Sequence, residues 1–172
     1  MSAVRGLVFT SLVLVAVVLQ ISVFSNLAFQ GVVPNLVLLV VVATALGRGP
    51  EAAAVLGLLA GLMLDLAPPA DHAAGRWALA LIVVGYLAGR VRQDAAGSAF
   101  AAVVTVAACS FVGTSIFAIS GLVLGDPGVT VGSVLQVVPI SLVYDVLLTP
   151  LVLPPVLALL RRLEERREVA AW

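Results

Sequence analysis

Few side chains in this sequence could do chemistry, and the most unusual of them is Asp145. It lies near the middle of the last long apolar run, roughly 24 Å of helix away from Arg161 at about 1.5 Å per residue. An ionisable group at that depth is costly to keep and marks a site by default. Two readings are open. Either the carboxyl is buried and satisfied by Tyr144, Ser141, Thr149 or a polar group on another helix, or Asp145 and Tyr144 serve gating, ligand contact or partner binding. A second set, Asp65, Asp71, His72 and Arg76, gathers around one polar connection. One His and two Asp, with no second nitrogen or sulfur donor, make a poor metal site, so this set reads as a salt-bridged loop without metal. Cys109 is the single cysteine; it excludes an intramolecular disulfide and reads as a small packing residue in an apolar run. No nucleophile–base pair, phosphate-binding loop or cofactor fingerprint occurs. The residue types point to neither catalysis nor a cofactor.

The elements that must position these residues are membrane helices. The chain is 62% hydrophobic and 10% charged, with a mean hydropathy of +1.22, and no water-soluble surface can be built from that. Nine arginines balance nine acidic residues and lysine is absent, so the charge gives no reason to expect nucleic acid. A spanning helix needs about 20 residues, within a range of roughly 17 to 25. Six segments meet this loosely: 6–24, 32–46, 51–66, 76–91, 98–124 and 131–160. The second to fourth are short and the last two long, which predicts an irregular bundle. Pro34, Gly47-Arg48-Gly49-Pro50, Pro68-Pro69 and Asp126-Pro127-Gly128 fall between the apolar runs and break them. The first segment is too long for the apolar core of a secretory signal and no small-residue cleavage site follows, so it reads as a retained helix. Residues 1–160 thus form one polytopic domain, and 161–172 a charged tail.

Orientation follows from the arginines. With six spans, Arg5, Arg48, Arg90, Arg92, Arg161, Arg162, Arg166 and Arg167 fall on one side and only Arg76 on the other. The richer side is cytoplasmic, so both termini are expected there, and the loops near Asn26, Asp71 and Asp126 face outward. In the tail, Arg161-Arg162-Leu163-Glu164-Glu165-Arg166-Arg167-Glu168 alternates charge sign at helical spacing, as a helix end emerging into water does. Three segments carry glycines four apart: Gly57 with Gly61, Gly85 with Gly89, and Gly121 with Gly125. Such pairs let another backbone approach closely, either within the bundle or at a partner. Pro139, Pro150, Pro154 and Pro155 crowd the last segment and favour a bent or broken helix around Asp145.

Four stretches in this order resemble the rod shape-determining protein MreD family. They are Pro34-Asn35-Leu36-Val37-Leu38-Leu39; Gly57-Leu58-Leu59-Ala60-Gly61-Leu62-Met63-Leu64-Asp65-Leu66; Gly75-Arg76-Trp77-Ala78-Leu79 leading into Val84-Gly85-Tyr86-Leu87-Ala88-Gly89; and Leu142-Val143-Tyr144-Asp145-Val146-Leu147-Leu148-Thr149-Pro150. The outer segment from Ala67 to Gly75 is similar to actinobacterial versions. The resemblance implies a non-enzymatic scaffold of the bacterial cytoplasmic membrane that binds an MreC-like protein. Through it the scaffold would meet MreB, RodA and a class B penicillin-binding protein in lateral peptidoglycan synthesis. It also implies a neutral Asn where this chain has Asp145. On this reading Gly61, Asp65, Asp71 and Arg76 are expected at the partner interface, because a polar cluster at a helix end beside a small-residue face suits a close-fitting partner. The family is also similar in fold to the vitamin-binding membrane components of energy-coupling-factor transporters. That implies a rival reading, a small-molecule binder with Asp145 or the outer loop facing a pocket.

Overall fold

The computed structural model describes residues 3–68, 72–95 and 98–169. They form seven α-helices: α1 (Ala3–Ser22), α2 (Leu36–Arg48), α3 (Pro50–Leu66), α4 (Arg76–Arg90), the single turn α5 (Arg92–Ala95), α6 (Ala99–Leu124) and α7 (Val131–Val169), with a 3-10 turn over Phe24–Leu27 after α1. Two stretches, Ala99–Leu124 and Val131–Leu163, are long and apolar enough to cross a membrane, while Gly6–Ser22 and Leu36–Arg48 are apolar but shorter. Asp71 falls outside the described residues, as do the side chains of the expected ion-pair ladder from Glu164 onward.

The middle of the bundle is α2. Every residue from Leu36 to Ala45 is buried, so this helix has no face left for solvent or lipid and is wrapped by α1, α3, α4, α6 and α7. It starts four residues later than the apolar run suggests. Proline at 34 brings no N–H and biases Val33 toward an extended backbone, and the Asn35 side chain then caps the helix by accepting from the Leu38 N–H at 3.0 Å. Thirteen residues make a helix of roughly 20 Å, well short of the roughly 30 Å hydrocarbon core.

Helices α3 and α4 form a hairpin whose backbones touch. A Cβ on Gly57 would fall on the Leu81 carbonyl, one on Gly61 on the Ala78 backbone, one on Gly85 on Ala53, and one on Gly89 on Pro50. The two four-residue glycine steps therefore mesh with each other, so the close approach is made inside this chain. Gly121 and Gly125 behave differently. Gly121 leaves room for the Arg76 guanidinium, and Gly125, at φ 71°, ends α6 in the left-handed conformation.

Helix ends sort by charge. Gly47 lies against Leu160, Gly49 against the guanidinium of Arg92, and Gly89 against Pro50, which brings Arg48, Arg90, Arg92, Arg161 and Arg162 to one end of the bundle. Asp65, Arg76 and Asp126 come together at the opposite, distal end. The four prolines of α7 do not break it. All four are solvent- or lipid-facing, where a missing backbone bond is least disruptive, and the helix continues through them.

Candidate functional site

Among the polar residues singled out above, Asp65, His72, Arg76 and Asp145 occupy two places, each at the start of a short helix. At the distal end, α4 begins after Gly75, which is left-handed and offers no side-chain cap. The cap comes instead from Asp65 near the end of α3. Its Oδ2 accepts from the N–H of Gly75 at 2.8 Å and of Ala78 at 3.1 Å, and its Oδ1 accepts from the Trp77 N–H at 3.0 Å. One carboxylate thus satisfies three donors at the positive end of the helix dipole. His72 Nδ1 stands 3.7 Å from Asp65 Oδ1, too far for a hydrogen bond.

Arg76, the first residue of α4, ties that hairpin to α6 and to the turn after it. Nε donates to Ser120 Oγ at 3.1 Å, Nη2 to the Phe117 carbonyl at 2.8 Å, and Nη1 to Asp126 Oδ2 at 2.6 Å. The planar fork of the guanidinium is what allows three differently placed oxygens to be met at once. Phe117 supports it from below. The guanidinium carbon is 4.1 Å from the Phe117 ring centroid, the Trp77 ring stacks on Phe117 at 4.3 Å, and His72 meets its edge at 5.1 Å. Of the proposed interface set, Gly61, Asp65 and Arg76 are buried, with Asp65 and Arg76 at 1% and 4% exposure. They build the distal end and do not themselves present a surface. The exposed rim around them is apolar: Leu66, Leu79, Val123 and Leu124.

Asp145 holds the start of α2 at one remove, by fixing Asn35, the residue whose side chain caps it. The carboxylate is fully buried; Oδ1 accepts from the Asn35 N–H at 2.9 Å and Oδ2 from Ser110 Oγ at 2.7 Å. Gln20 of α1 reaches the same helix start, its Oε1 accepting from the Val37 N–H at 3.1 Å. So α7, α6 and α1 each contribute to holding the first turn of α2. Among the partners expected for the carboxyl, Thr149 bonds to the backbone carbonyl of Asp145, at 2.8 Å, and not to its side chain. Tyr144 lines a lateral groove with Phe29, Pro139, Ile140 and Val143. Sequence reasoning missed Asn35, Ser110, Gln20, Phe117 and Ser120. A Pro-Asn step before an apolar run does signal a helix start, but nothing local pairs position 35 with position 145. Among the described residues no group of three or more His, Cys, Asp or Glu could hold a metal ion.

A model of the family described as rod shape-determining protein MreD matches residues 1–163, which includes both capped helix starts and everything bonded to them. The chain belongs to the MreD family. No curated protein and no solved structure matches it. Membership makes this MreD-family chain a membrane protein involved in rod-shape determination, in agreement with its two membrane-capable helices.

Proposed function

We propose that this MreD-family chain is a non-catalytic scaffold of the bacterial cell-elongation complex that binds an MreC-like protein at its distal end. On this reading it sits in the cytoplasmic membrane with six spans, and the arginine-rich end faces the cytoplasm. Through the MreC-like protein it acts on MreB, RodA and a class B penicillin-binding protein, and so on lateral peptidoglycan synthesis. The observation that carries the reading is the distal cluster. Asp65 and Arg76 use their hydrogen-bonding groups on the chain's own backbone and side chains, which makes a rigid end with an apolar rim. The gathering of arginines at the opposite end supports the orientation, because cytoplasmic loops carry the excess of positive charge. Asp145 gives no support to a small-molecule binder, since both of its oxygens are already engaged and none of its surface is exposed.

The test is site-specific photo-crosslinking in native membranes. Probes at Leu66, Leu79 and Val123 are expected to capture an MreC-like protein, and a probe at Phe100, exposed at the arginine-rich end, is not. Capture from Phe100 alone, or purification of the intact chain with no such partner, would refute the scaffold reading.

A further inference from the structure

Between α1 and α3, at the arginine-rich end, lies a half-open cleft of about 450 Å³. That volume falls within the roughly 300–1,000 Å³ of ordinary ligand sites. Phe9 of α1 with Val55 and Leu59 of α3 give it apolar walls, and its polar groups are Thr10, Arg48 and Glu51. The charged pair stands where α2 turns into α3, and Val55 and Leu59 lie one and two turns further into the bundle. Arg48 is held toward the cleft, with its guanidinium carbon 5.5 Å from the Phe9 ring centroid. The start of α3 itself has no side-chain hydrogen bond capping it.

An occupant must therefore be amphiphilic. Its apolar part enters from the side along Val55 and Leu59, and its head meets a cation and an anion that are three residues apart. A phosphate fits Arg48, and basic pockets between helices near a membrane surface take lipid head groups in this way. Glu51 discriminates further. It repels a purely anionic head and favours one whose phosphate is followed by a cation, and a primary ammonium can donate hydrogen bonds to it where a quaternary one cannot. We propose that this cleft is a binding site for a phospholipid with a phosphoethanolamine head, its phosphate on Arg48 and its ammonium on Glu51. The site is independent of the partner-binding reading.

The experiment is native mass spectrometry of the full chain released from nanodiscs. These contain equal parts of phosphatidylethanolamine, phosphatidylcholine and phosphatidylglycerol with matched acyl chains. Phosphatidylethanolamine is expected to be retained about five-fold over phosphatidylcholine, the worth of one hydrogen bond that the primary ammonium makes and the quaternary one cannot. Glu51→Gln is expected to remove that preference, and Arg48→Ala to lower retention of all three about five-fold. Should Arg48→Ala fail to fold, Val55→Trp decides. Val55 is 59% exposed, so an indole there fills the cleft without disturbing the core, and retention falls. Equal retention of the two zwitterionic lipids by the wild type would overturn the proposal. So would preferred retention of phosphatidylglycerol with no effect of Glu51→Gln, or retention unchanged by Val55→Trp.

Discussion

Replacing Asp145 by Leu and by Asn separates a charge requirement from an acceptor requirement. Leucine is close to Asp145 in reach and opens no large cavity, but it leaves the Asn35 N–H buried with no acceptor. An orphaned buried donor costs about 1–3 kcal/mol. Measured hydrogen bonds inside membrane proteins sit lower, at about 0.6 kcal/mol on average and up to about 1.7. The Ser110 hydroxyl adds little, because it can turn to the carbonyl four residues back in α6. Asp145→Leu should therefore lose about 1–2 kcal/mol. Asparagine keeps Oδ1 for the Asn35 N–H, and its amide can donate to Ser110 Oγ, which accepts as readily as it donates. Asp145→Asn should stay within about 1 kcal/mol of the wild type. Denaturant unfolding in lipid nanodiscs measures both, and hydrogen exchange at the Asn35 amide locates the change. Asp145→Leu with wild-type stability and a protected Asn35 amide would refute the capping argument. Asp145→Asn as damaging as Asp145→Leu would show that the charge itself is needed.

Gly61→Leu drives side-chain atoms into the Ala78 backbone, so the α3–α4 hairpin should open; a loss of about 1–3 kcal/mol or failure to accumulate in membranes is expected, read by thermal unfolding. Asp65→Ala uncaps α4 and should cost about 2 kcal/mol, with faster hydrogen exchange at Trp77 and Ala78 and no change at Asn35. Arg76→Lys keeps the charge but not the fork. It should remove the guanidinium donors to the Phe117 carbonyl and Ser120 Oγ, leaving that carbonyl with the Ser120 hydroxyl as its side-chain donor, and speed exchange at Val129, whose N–H bonds to the Asp126 carbonyl in the turn that Arg76 holds. Cysteines placed at Asp71 and at Glu168 should react with an impermeant thiol reagent from opposite sides of the membrane, and labelling from one side would end the six-span orientation.

The helices were legible because apolar run length and breakers are local properties. Pro50, Arg76 and Leu124 end or begin helices within a residue of where the sequence puts them, since each adjoins a proline, a glycine or a charge. The start of α2 was misplaced because Val32 and Val33 are as apolar as the helix that follows, and only the backbone constraint of Pro34 marks the border. The turn α5 was missed because four residues carry no periodicity. The glycine steps of α3 and α4 were visible as pairs, but which faces would meet depends on the register of two helices. Asp145 stood out by its depth, and its role did not, because its partners come from positions 35 and 110. Gly121 shows the same limit from the other side: spaced like a helix-crossing glycine, it makes room for one arginine side chain.

One constraint connects these details. Helices α2 and α4, at 13 and 15 residues, reach only about 20 and 22 Å, so neither spans a hydrocarbon core of roughly 30 Å unaided. Their first turns present N–H groups that the helix itself cannot satisfy. Below the membrane surface water cannot satisfy them, and irregular backbone survives there only when protein supplies the partners. A carboxylate is the most effective partner, because it accepts several donors and carries the sign that the helix dipole favours at that end. The chain places one at each start, Asp145 from α7 and Asp65 from α3. In both cases the acid is drawn from a different helix, so the cap also fixes how two helices sit against each other. A carboxylate that moved to carry a proton or release a ligand would loosen a buried helix start each time. That coupling favours a fixed body over a moving one, and a fixed body suits the scaffold proposed above, whose distal end would have to keep its shape.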